Sequence, residues 1–191
     1  MPEPLPTSDD QPRWLTSTEL ETWLSLSLLL RRLPTVLEAQ LQRDAKLSFL
    51  EYYVLAALSE QPEHRMRMSD LAVLTDSELS RLSHLMSRLE KRGFVRREPD
   101  PTNGRYTHAI LTEAGYAHLV EAAPGHVARV RELVYDVLDP TELQGLRAAA
   151  DKIISRIDRS EQDTCPRKGI AVEYRPRRNA EHAANTGGAD A

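Results

Sequence analysis

"SELSRLSHLMSRLEKRGFVRREPDPTNGRYTHAIL", residues 77–111, changes its period halfway along. Up to residue 93 the apolar side chains Leu79, Leu82, Leu85, Met86 and Leu89 share one helical face, and Gly93 supplies the left-handed conformation that ends a helix. From Phe94 and Val95 the pattern alternates instead. A strand opens there, Pro99 to Gly104 forms a loop with Asn103-Gly104 as its tightest turn signal, and Tyr106 to Leu111 returns as a second strand. The remainder of the chain reads as helix, so the hairpin needs a reason. Arginines at its base and just past its turn supply one.

At about 100° per residue, Ser77, Arg81, His84 and Arg88 fall on one stripe, flanked by Ser80, Ser87 and Lys91 and nearly opposite the leucines. A short helix precedes this one, with Ser69 as its expected N-cap and Met68, Leu71 and Leu74 as its buried side. Short helix, tight connection and longer amphipathic helix make a helix-turn-helix, and the two-stranded hairpin behind it makes a winged helix. The charge is concentrated here. Seven Lys/Arg stand between Arg81 and Arg105 against three acids, a local +4 within a chain of net −4.

Such a helix suits a DNA major groove: small hydroxyls allow close backbone approach, and arginine grips guanine or phosphate through its fork. The candidate DNA contacts are Ser80, Arg81, Ser83, His84, Ser87 and Arg88 on the helix. Arg96 and Arg97 at the hairpin base would hold phosphates, and the hairpin would carry Arg105 to the neighbouring minor groove. Glu78 opposes this, yet at a helix start it meets the positive dipole end. Two plainer readings stand beside it: a solvated amphipathic helix, or a winged helix that docks on protein without specific DNA binding.

Working outward, residues 1–15 carry four prolines and read as a disordered arm. From Thr16 to about Gln42, Leu20, Leu24, Leu28, Leu33, Leu37 and Leu41 recur at helical spacing, with Pro34 expected to kink or split the helix. Trp23, Leu26, Leu29 and Leu30 add a second apolar face, which implies a partner chain. Ser48 and Glu51 form a capping box for a helix ending at Gln61-Pro62. Thr112 caps a helix over about 113–138 that Pro124-Gly125 is expected to bend or interrupt. Asp139-Pro140-Thr141-Glu142 starts the last helix, with Leu143, Leu146, Ala150, Ile153 and Ile157 on its inner face.

The expected plan is therefore mainly α. Residues 46–112 form the winged helix-turn-helix, 16–45 and 113–160 a helical dimerisation region, and 161–191 a disordered tail with a basic cluster at Arg167, Lys168, Arg175, Arg177 and Arg178.

Composition excludes other classes. With 40% apolar and 28% charged residues in 191, the chain is ordinary for a globular domain plus tails. The single Cys165 rules out an internal disulfide and a cysteine-rich zinc site, and a reducing cytoplasm fits. "WLSLSLLL", residues 23–30, is too short to span a bilayer, so no membrane partner is expected. The six histidines include no pair three or four apart, so no metal or cofactor is expected. Ser83 and His84 are adjacent and point about 100° apart on a helix, and no glycine-rich phosphate loop or nucleophile elbow appears, so an enzyme is not expected. Trp23, Tyr52, Tyr53 and Tyr116 are aromatics that could line a small-molecule effector pocket.

"LAVLTDSELSRLSHLMSRLEKRGFV", Leu71 to Val95, resembles the recognition segment of the MarR family of bacterial transcription regulators. "DPTNGRYTHAILTEAG", Asp100 to Gly115, resembles that family's wing signature. The resemblance implies a homodimer of two-fold symmetry, a palindromic double-stranded DNA site, and repression or activation relieved by a small molecule. It places Arg105 on the wing arginine and Ser80, Arg81, Ser83 and His84 on groove-facing positions. The wing aspartate of the family is Asn103 here, so the salt bridge bracing the wing arginine is expected to weaken to a neutral hydrogen bond and leave Arg105 more mobile.

Overall fold

The Thr16 hydroxyl accepts the Glu19 N–H at 3.3 Å while the Glu19 carboxylate accepts the Thr16 N–H at 2.8 Å. This reciprocal cap starts α1, Ser17–Ala45. The computed structural model describes residues 12–100 and 103–164. Most of the expected N-terminal arm and the basic cluster with Cys165 lie outside the described residues.

α1 does not split at Pro34. The missing N–H leaves the Leu30 carbonyl without its helical donor, but Leu30 and Pro34 are both exposed, so water can take it. The same cap logic begins α2, Phe49–Ser59, where Ser48 Oγ accepts the Glu51 N–H at 3.1 Å and Glu51 returns the contact at 2.9 Å.

After α2 the chain forms a strand that the sequence reading lacks. β1, Arg65–Arg67, pairs antiparallel with the return strand of the hairpin, Arg65 opposite Ile110 and Arg67 opposite His108. Three residues are too few to display alternation, which is why the wing reads as two-stranded. β1 runs straight into α3, Met68–Leu74, so the N-cap position falls on Arg67 and Ser69 lies inside the first turn, donating to the Asp70 carboxylate at 3.0 Å.

α4 spans Leu79–Lys91. It starts after Glu78, while Ser77 stays in the turn with its hydroxyl on the Thr75 carbonyl at 3.1 Å. Leu82, Leu85, Met86 and Leu89 are buried, whereas Leu79 in the first turn remains exposed. The helix ends as expected: Gly93 takes φ 75°, its N–H reaches Glu90 O at 2.9 Å and the Phe94 N–H reaches Leu89 O at 3.0 Å. β2, Val95–Pro99, and β3, Thr107–Leu111, then pair from Val95–Leu111 to Pro99–Thr107, giving a sheet of order β1-β3-β2.

One residue joins wing to helix. Thr112 donates its N–H to Phe94 O at 3.0 Å and its hydroxyl to Gly93 O at 2.7 Å, while that hydroxyl caps the Gly115 N–H at 3.0 Å. α5, Glu113–Val130, thus begins directly against the end of α4. A Cβ on Gly115 would stand 2.1 Å from Phe94 O, so only glycine permits this approach. α5 also passes its proline, Pro124, without interruption; the irregularity comes later, as a π-helical segment at Arg131–Tyr135. α6, Pro140–Thr164, is capped by Asp139 as expected and runs four residues beyond the expected boundary at 160.

The core lies where α2, α3, α4, the sheet and the start of α5 meet, with Leu47, Leu55, Leu58, Leu71, Leu82 and Met86 at its centre. By contrast, the first half of α1 and α6 keep many of their apolar side chains exposed, Leu20, Trp23, Leu24, Ile153, Ile154 and Ile157 among them.

Candidate nucleic-acid interface

Burying four apolar side chains of α4 fixes its rotation, which turns the opposite stripe outward. Ser80, Arg81 and His84 are exposed, and their side chains make no hydrogen bond or ion pair among the described residues. They occupy the first half of the helix. Such unspent donors on a rigid element are what base edges and phosphates require.

The second half of the stripe is occupied. Arg88 Nε reaches Glu51 Oε1 of α2 at 3.2 Å, and Arg92 stands 3.9 Å from the same carboxylate, donates to Lys46 O at 2.8 Å and covers the Phe94 ring at 4.5 Å. Glu51 is nearly buried, so this interaction is less screened than a surface pair. Ser83 and Ser87, expected at DNA, instead face strand β2, where both hydroxyls accept from Arg97. Arg97 also holds Glu90, and that hydrogen bond raises the guanidinium above its ordinary ionisation range against the opposing effect of partial burial. Arg97 is therefore turned toward α4, with its guanidinium spent on Ser83, Ser87 and Glu90. The reason is a short tertiary contact across the helix–strand junction, invisible as sequence spacing.

On the wing, Arg96 pairs with Glu98 at 2.7 Å while both remain exposed. Asn103 Oδ1 accepts the backbone N–H of Arg105 at 3.2 Å, and the Tyr106 N–H closes the turn onto Asn103 O at 2.9 Å. The asparagine thus serves the turn, and the Arg105 side chain is exposed with no side-chain partner among the described residues. The wing base depends on a residue the sequence reading passed over, the buried Asp100. Its carboxylate accepts the Asn103 N–H at 3.1 Å and lies 3.4 Å from Arg67 and 3.8 Å from His108. Arg67 in turn covers the Tyr106 ring at 4.7 Å. An acid three residues before an Asn-Gly turn was the available signal.

Three of the aromatics named for an effector pocket have separate surroundings. Tyr52 packs on His126 at 4.4 Å between ring centroids, Tyr116 on His64 at 5.3 Å, and Trp23 stands exposed on α1. A groove between α1 and α5 is lined instead by Thr35, Gln40, Arg43, Asp44, Arg129 and Glu132, among others. Beside it His126 is buried, Nδ1 3.3 Å from Gln40 Oε1, and that burial lowers its pKa from the usual imidazole range. Among the described residues no group of three His, Cys, Asp or Glu side chains is arranged to hold a metal, and no helix is long and apolar enough to cross a membrane.

A model of the MarR family matches residues 45–105, from the end of α1 through α2, β1, α3, α4 and β2. The transcriptional repressor MprA of Escherichia coli K12 is 30% identical over 122 residues, which cover 64% of this chain and 66% of the repressor. A crystal structure of Sco3205, a MarR family transcriptional regulator from Streptomyces coelicolor in complex with DNA, superimposes with a TM-score of 0.74 at 42% identity, covering 76% of this chain and 91% of that one. AbsC, a MarR family transcriptional regulator from the same organism, gives 0.74 at 40% identity over 77% and 99% of the two chains. With the helix-turn-helix, the wing and nearly the whole length of two solved relatives in common, the chain belongs to the MarR family of transcriptional regulators.

Proposed function

We propose that the protein represses transcription as a homodimer bound to a palindromic operator. Its recognition helices α4 enter successive major grooves, and Arg105 of each wing reaches the adjacent minor groove. The observation that carries this reading is the sorting of the polar stripe: the side chains of Ser80, Arg81 and His84 have no partner among the described residues on the rigid first half of α4, next to a wing whose arginine likewise has no side-chain partner among them. Arg96 holds Glu98 at an exposed site, and the Arg88 guanidinium stays open to solvent although its partner Glu51 is nearly buried; both serve as phosphate contacts by exchanging a carboxylate for the backbone. The DNA complex of Sco3205 and the repressor activity in the name of MprA support the same direction.

The dimer seam comprises 16–45 and 113–160. A single helix-turn-helix touches few bases, whereas a two-fold pair spans half-sites about 34 Å apart. The exposed Leu20, Trp23 and Leu24 of α1 with Ile153, Ile154 and Ile157 of α6 supply the apolar surface that such a seam buries. A small-molecule effector acts by changing the separation of the two α4 helices, since a rigid dimer matches successive grooves at one spacing.

The test is a gel shift with the chain's own upstream DNA over a salt series, alongside sedimentation. The expected result is a dimer giving a specific shift with a steep salt slope, lost in Arg81→Ala. Binding that is absent, or that ignores both salt and Arg81→Ala, would instead make this a protein-docking winged helix.

A further inference from the structure

Arg97 leaves β2 and lies along α4. Its Nη1 donates to Ser83 Oγ at 3.1 Å, its Nη2 to Ser87 Oγ at 3.0 Å and also to Glu90, and its Nε to Glu90 Oε2 at 2.9 Å. Residues 83, 87 and 90 are spaced by four and three, a single line on a helix. The Ser87 proton is spent on the Ser83 carbonyl at 3.0 Å, so its oxygen is left as an acceptor for Arg97. Both Arg97 and Glu90 are 28% exposed, which protects the pair from full solvent screening. In the sheet Arg97 stands opposite Ala109, so what holds β2 also holds β3 and the turn beyond it.

We propose that Arg97 is a positioning residue that, with Glu90, brackets the wing onto the recognition helix, so that α4 and Arg105 meet one duplex as a single rigid piece. The proposal rests on the reading of α4 and the wing as the DNA-contacting surface. It reassigns three residues expected at DNA: Ser83 and Ser87 are acceptors inside the bracket, and Arg97 is its fork. Only a planar guanidinium reaches three acceptors along two helical turns; an ammonium is a point charge that cannot. Glu90 also gains a purpose, because a lone carboxylate beside a polyanion would repel it and this one is neutralised by its partner.

The experiment measures operator affinity of the full chain across salt for wild type, Glu90→Gln, Arg97→Lys, Arg105→Ala, the Glu90→Gln/Arg105→Ala double variant, and Arg81→Ala. Each free protein is also followed by hydrogen exchange of the β3 amides. Glu90→Gln is expected to weaken binding on the order of tenfold, as Arg105→Ala does, and the double variant to be no weaker than either single. Arg97→Lys should match Glu90→Gln, and exchange in β3 should quicken in both while that of α4 stays slow. If Arg97 instead touches phosphate itself, Glu90→Gln tightens binding or leaves it unchanged, Arg97→Lys retains wild-type affinity, and the effects of Glu90→Gln and Arg105→Ala multiply. Any of these overturns the bracket, as does unchanged β3 exchange. Arg81→Ala separates the two claims. Wild-type affinity there defeats the DNA-interface reading, and the bracket is then decided by exchange alone; loss of binding there together with tightening in Glu90→Gln defeats only the bracket.

Discussion

The two halves of α4 carry the same residue types and employ them in opposite ways. In the first half the Ser80, Arg81 and His84 side chains project into solvent with no partner among the described residues, while Ser83, turned toward β2, is held by Arg97; in the second Ser87 and Arg88 are claimed by Arg97 and Glu51. A sequence that reads as one uniform basic stripe is therefore a reading end joined to an anchored end. The acids explain the division, since Glu51 and Glu90 both lie beside the later turns, whereas no acid pairs with Arg81 among the described residues. Formal charge locates a surface, but the partners of each charge decide what it can still bind.

The comparison can be broken at several points. The largest effect should come from Gly115→Ala, which drives a methyl into the Phe94 carbonyl where the anchored end of α4 meets α5. It is expected to cost about 3 kcal/mol by denaturant unfolding. A cost below about 0.5 kcal/mol would show that this junction yields easily.

Arg81→Ala should leave stability within about 0.5 kcal/mol of wild type while removing about 2 kcal/mol of operator affinity. The inverse pattern would make the first half of α4 structural. Glu51→Ala acts on the anchored end, taking away the return contact of the α2 cap and the carboxylate that holds Arg88 and Arg92. About 1.5 kcal/mol of stability should go with it, and substituting Arg88 afterwards should cost less than in wild type.

The smallest effect concerns pH. His126 sits far along α5 from either half of α4, and burial lowers its folded pKa below the unfolded value near 6.5. The unfolded chain therefore binds the proton first. The stability that His126 contributes is complete above about pH 6.5 and declines as pH falls through the window below it. Thermal unfolding of His126→Phe should show a shallower loss between about pH 6.5 and 5 than wild type. A parallel loss in both would assign the dependence to other groups.

What the sequence disclosed is local chemistry. The Ser48–Glu51 box, the Thr112 and Asp139 caps and the Gly93 terminus need only neighbours within about four residues, and each is found where its spacing places it. Pro34 and Pro124 do not break their helices, because a proline penalty of about 3 kcal/mol is a local quantity that long flanking helices absorb. β1 stayed hidden because its pairing partner lies in β3, more than forty residues away, and its own three residues have no visible period. The engaged arginines were hidden likewise, since Arg88 meets Glu51 at a separation of 37 and Arg97 meets Ser83 at 14. Residue type marked the candidate surface, and tertiary partners divided it.

Thr112 has a mechanical consequence. It is the whole connection between the wing and α5, and a single residue contributes two soft torsions. Its N–H and hydroxyl are both pinned to the carbonyls that follow α4, and the same hydroxyl holds the Gly115 N–H, so neither torsion can turn without breaking a bond. Tilting α5 thus swings the reading head like an oar in a tight lock, with no slack to swallow the stroke.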